Sequence, residues 1–85
     1  MFPQKFYVYI LYSKNIDKYY IGVTYNLELR LARHKFGSSR FTKQTKDWKL
    51  VYKKEYDSRV NALRREKYIK RMKSRIYIEE LISAG

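Results

Sequence analysis

The chain has 85 residues, 20 Lys and Arg against 8 Asp and Glu, a formal charge of +12, and no cysteine. That length suits one domain over residues 1–85, burying about 60 to 65% of the surface its unfolded form exposes, and the missing thiols exclude both a disulfide framework and a thiolate metal cluster. No apolar run reaches the roughly 20 residues of a spanning helix, and the tyrosine-studded start lacks the cleavage site of a signal peptide, so a soluble, cytoplasmic protein is expected.

So much positive charge on so small a body calls for a polyanionic partner. Nucleic acid is preferred to a membrane, because ten tyrosines offer stacking faces and the basic residues are spread through several elements instead of along one amphipathic helix. DNA is preferred to RNA, and a monomer slightly to an oligomer.

Residues 6–12 (FYVYILY) are aromatic and β-branched and predict a strand. The turn formers SKNIDK follow, then residues 19–24 (YYIGVT) predict a second strand, closing a hairpin over a loop of about four to six residues. Asn26 can cap a helix starting at Leu27, with Glu28 at the positive end of its dipole, and the helix should stop near Gly37. Residues 37–47 (GSSRFTKQTKD) mix small, hydroxyl and basic side chains without a period, which predicts a surface loop able to meet phosphates. Residues 48–56 (WKLVYKKEY) alternate as a third strand with Trp48, Leu50 and Tyr52 on one face. Asp57 or Ser58 can cap the long helix of residues 59–74, and a short final helix ends at glycine. The predicted class is α+β: a small three-stranded, mainly antiparallel sheet flanked by helices in the order β-β-α-β-α-α.

On the long helix, Glu66 falls in the arc of Ala62, Leu63, Ile69 and Met72. A carboxylate facing inward must be neutralised, paired with a cation such as Lys70 or Arg59, or bound to a metal. On the first helix, Leu27, Leu31 and His34 share a face and Arg30 lies at its edge, where its guanidinium can grip a phosphate bidentately. The plain alternatives are a surface cation for Arg30 and a hydrogen-bonded core histidine for His34. In the hairpin, Tyr9 and Tyr20 can come together across the strands, and Gly22 beside them suggests a gap for a ligand or a backbone.

These segments, YVYILYSKNIDKYYIG, then NLELRLARH and ALRREKYIK, resemble the GIY-YIG nuclease superfamily, and most its short bacterial single-domain members, over residues 6–72. Tyr7-Val8-Tyr9 stands in place of Gly-Ile-Tyr, and Tyr20-Ile21-Gly22 is the Tyr-Ile-Gly. The resemblance implies a single-metal phosphodiesterase site in which Tyr9 and Tyr20 are the paired tyrosines, Arg30 binds phosphate, His34 is an accessory proton or phosphate partner and Glu66 holds Mg²⁺ or Mn²⁺. Two positions depart from many active relatives: Val23 lies where they carry a lysine, and no asparagine follows Glu66.

The expected function is a metal-dependent endonuclease hydrolysing phosphodiester bonds in DNA, with branched or damaged structures and DNA repair as its setting. The alternative is a nucleic-acid-binding module with the same fold and no hydrolysis. For a tyrosine to act as base its pKa of about 10 must fall, and Arg30 or a protonated His34 would act in that direction, with Tyr9 favoured for the role. Arg33, Lys35, Arg40, Lys43, Arg64, Arg65 and Lys67 are the expected contacts to nucleic-acid phosphates.

Overall fold

A computed structural model describes residues 4–35 and 40–85, without the Lys35 side chain. The expected helix stop at Gly37 and the start of the following loop lie outside the described residues. The elements are β1 (Phe6–Ser13), β2 (Lys18–Thr24), α1 (Leu27–Lys35), a 3₁₀ turn (Thr42–Gln44), β3 (Lys49–Tyr56), α2 (Arg59–Met72) and α3 (Arg75–Ala84). The strand order is β2-β1-β3 and both pairings are antiparallel, which is the expected α+β arrangement.

The central strand β1 is covered on both faces, so its residues from Val8 to Leu11 are all fully buried. Because side chains alternate along a strand, Val8 joins Ala62 of α2 and Ile69, while Tyr9 and Leu11 join Trp48 on the opposite face. Ile78 and Leu81 of α3 pack against the first cluster, and Leu27 and Leu31 of α1 against the second. Two thin cores thus sandwich one sheet.

Local chemistry explains the element ends. Asn26 Oδ1 accepts from the Leu29 amide at 3.1 Å. Ser58, not Asp57, caps α2, its Oγ accepting from the Asn61 amide at 3.1 Å, while Asp57 pairs with Lys5 at 2.8 Å. Lys73 adopts a left-handed conformation (φ 47°) that ends α2, and Ser74 caps α3. The hairpin turn occupies residues 14–17, and its left-handed Asp17 (φ 51°) is held by Tyr12 Oη at 2.6 Å and by Arg75.

Three expectations need correction. Ile10 pairs with Tyr52 while Leu11 pairs with Leu50, so Val51 bulges, and Tyr52 is thrown onto the other face from Leu50. Met72, expected to face inward with Ala62 and Ile69, is 43% exposed, at the last position of α2 before the left-handed Lys73. The described part of the segment after α1 is no loose loop. Thr42 is buried and its carbonyl accepts from Trp48 Nε1 at 2.8 Å, Phe41 stacks against Trp48 and Tyr20, and Asp47 accepts from Ser13 Oγ and the Asn15 amide.

Candidate active site

The site begins with a cross-strand pair. Tyr9 lies opposite Gly22, and Tyr20 lies opposite Leu11, one pair along on the same face. A Cβ on Gly22 would meet the Tyr9 hydroxyl oxygen at 2.5 Å and Cζ at 2.6 Å. The glycine gap is therefore filled by the Tyr9 ring, not left open for a substrate as the sequence suggested. Tyr20 packs beside it with ring centroids 6.3 Å apart.

Helix α1 brings two more groups to the same phenol. Tyr9 Oη lies 2.8 Å from His34 Nε2 and accepts from Arg30 Nε at 3.3 Å. Arg30 and His34 are one turn apart, so both reach one point. A guanidinium can only donate; the phenol proton is then free to go to His34 Nε2, which puts the imidazole proton on Nδ1. That nitrogen is buried and has no hydrogen-bond partner among the described residues. Tyr9 is 0% and His34 1% exposed.

Burial controls the charge states. It pushes the Tyr9 phenol up to about 12, with Arg30 offsetting only part of the rise, which reverses the expected lowering. Burial, then the neighbouring Arg30 charge, lowers His34 to about 4, so both groups are neutral at pH 7. Arg30 is pushed up by its hydrogen bond to Tyr9, with Tyr20 acting in the same direction. Tyr20 is half-buried, its ring centroid 4.7 Å from that of His34 in an edge-on arrangement.

Glu66 comes from the middle of α2. Its side chain is 15% exposed and pairs with Lys70, one turn on, at 3.5 Å, one of the two partners the sequence offered. Lys70 itself is 55% exposed, so the pair sits at the rim and is weak. The carboxylate is near enough for its charge to act on the Tyr9 phenol, raising its pKa. Among the described residues no three His, Cys, Asp or Glu converge, which does not fit zinc. A lone carboxylate completed by water and substrate oxygens does fit Mg²⁺.

Of the expected phosphate contacts, Arg33, Arg40, Lys43, Arg64 and Lys67 are exposed, and the Lys35 side chain lies outside the described residues. Arg65 is engaged differently: its guanidinium sits 5.3 Å from the Tyr68 ring centroid and 5.8 Å from that of Tyr77, bracing α3 on α2. Arg59, the other candidate partner for Glu66, instead lines a cavity of about 530 Å³ together with Arg30 and Arg33. Tyr25 lines it too. The sequence signal for both was slight, a basic residue in the first turn of α2 and an exposed aromatic next to a cap.

The model of the GIY-YIG catalytic domain matches residues 5–78. A UPF0213 protein of Staphylococcus haemolyticus is 40% identical over 67 residues, covering 78% of this chain and 80% of the relative. One from Limosilactobacillus reuteri is 32% identical and covers 100% of this chain and 91% of the relative. The solution structure of a UPF0213 protein from Bacillus halodurans superposes with a TM-score of 0.62 at 30% identity, covering 95% of this chain and 85% of that one. With the Tyr-Ile-Gly strand facing the buried Tyr9, this chain belongs to the GIY-YIG family, alongside the UPF0213 proteins.

Proposed function

We propose that the protein is a metal-dependent endonuclease that hydrolyses phosphodiester bonds in DNA, branched or damaged structures included. The family is of nuclease type and typically uses a divalent metal. The observation that carries the reading is the Tyr9 hydroxyl, buried between a neutral imidazole and a guanidinium beside a second phenol. A phenol hydroxyl both donates and accepts, and here it donates to a neutral imidazole and accepts from a guanidinium, groups of opposite proton habit.

Arg30 binds a phosphoryl oxygen of the substrate while its Nε stays on Tyr9. Tyr20, half-buried beside the same guanidinium, is the phenol placed to orient the attacking water. Tyr9 is protonated at neutral pH, so it takes up a proton only by handing its own to His34 Nε2, 2.8 Å away. His34 is free to receive it. One of the two causes that lower its pKa is the Arg30 charge. A phosphate on Arg30 offsets that charge, so substrate makes the imidazole a better acceptor. Glu66 would hold a Mg²⁺ or Mn²⁺ ion, which when bound neutralises charge on the phosphoryl oxygens and on the departing oxygen.

Plasmid nicking tests this. Nicking that requires Mg²⁺ and falls about 100-fold or more in Glu66→Ala, with DNA affinity retained, is the expected result. Wild-type binding without metal-dependent nicking supports the binding module instead.

A further inference from the structure

The cavity of about 530 Å³ beside Arg30 has an unbalanced lining. Arg30, Arg33 and Arg59 reach it from two helices, and among the described residues no Asp or Glu lines it. None of the three arginines makes an ion pair among the described residues, although this chain pairs cations elsewhere, as at Asp17 and Arg75. Three unpaired guanidiniums around one concavity repel one another unless an anion joins them. The volume lies within the range of small-molecule sites. One wall carries Tyr25, 62% exposed, with Phe6 and Asn26 nearby. An exposed phenol ring beside arginines suits the face of a heteroaromatic ring.

We infer that this cavity is a nucleotide subsite: Arg33 and Arg59 hold a phosphate, and the Tyr25 ring carries the attached base. Arg30 lines the cavity and also donates to Tyr9, so it joins the subsite to the reacting centre. On the nuclease reading, the occupant is the nucleotide next to the scissile linkage. The assignment of the subsite to a nucleotide does not depend on cutting. Arg59 is then a positioning residue, setting which linkage comes to Arg30.

The ¹⁵N-labelled chain, without added metal, is titrated with thymidine 3′,5′-bisphosphate and separately with inorganic phosphate. Saturable shifts of amides in residues 23–33 and at Arg59 are expected with the bisphosphate. Arg59→Gln should weaken it about tenfold, while Lys53→Gln, an exposed cation on β3, leaves it unchanged. Tyr25→Ala should weaken the bisphosphate about fivefold and leave inorganic phosphate as it was. All three side chains are exposed, and amide dispersion confirms that each variant folds. Equal effects of Arg59→Gln and Lys53→Gln overturn the subsite; equal effects of Tyr25→Ala on both ligands overturn its assignment to a nucleotide. Neither result touches the Glu66→Ala nicking test, and loss of nicking dependence on Glu66 leaves the subsite standing.

Discussion

His34 is the residue where burial and function meet. Its folded pKa of about 4 lies below the ordinary 6.5, so between those values the unfolded chain binds a proton that the folded chain refuses. Stability is full above pH 6.5 and is lost as pH falls towards 4. Between pH 7 and 5 the loss should be about 2 kcal/mol, the value of about one and a half units of pKa difference. Asp47, held down to about 2, contributes only at lower pH, which leaves this window to the histidine. Urea denaturation at pH 7, 6 and 5 measures it, and His34→Gln should flatten the slope. An unchanged slope in the variant would mean that the imidazole is solvated and the relay is wrong. The neutral imidazole keeps Nε2 free to accept from Tyr9 Oη, while its Nδ1 is buried without a described partner, so burial and the Arg30 charge hold it neutral.

At the scale of elements, the hairpin shows why one glycine was worth noticing. The Tyr9 ring lies across the position of Gly22 on the neighbouring strand, and with no Cβ there the phenol can lie flat and still point at α1. Gly22→Ala puts a methyl within 2.5 Å of the hydroxyl. Tyr9 is fully buried and cannot swing away. The expected outcome is a destabilisation of about 1–3 kcal/mol by overpacking in thermal denaturation, with displaced Tyr9 and His34 ring resonances. A fully stable variant with unshifted rings would show that the ring does not occupy the gap. The same logic governs β3, where one bulged residue sends Leu50 and Tyr52 to opposite faces of the sheet, and the tip of α2, where Met72 is exposed just before the left-handed Lys73.

Over the whole molecule, +12 on 85 residues makes phosphate attraction long-ranged and salt-sensitive. Raising salt from about 50 to 200 mM should weaken DNA binding by well over tenfold for a surface with six or more phosphate contacts, with little change between sequences, as fluorescence anisotropy would show. A flat response would remove Arg33, Arg40, Lys43, Arg64 and Lys67 from the interface. Much of this was readable without coordinates: alternation and turn residues marked three strands, Asn26 and the Asp57–Ser58 pair marked two helix starts, and the family resemblance, not spacing, singled out Tyr9, Tyr20, Arg30, His34 and Glu66 together. The strand, turn and cap signals are local, carried by neighbours within a few residues. Hidden were the bulge at Val51, the anchoring of Thr42 under Trp48, the arginine-lined cavity and the inversion of the Tyr9 pKa. Each depends on which distant side chains exclude water or share a space, so the chain by itself determined its elements and the residue types at its centre, and only tertiary packing decided their protonation, their exposure and which cations stayed free.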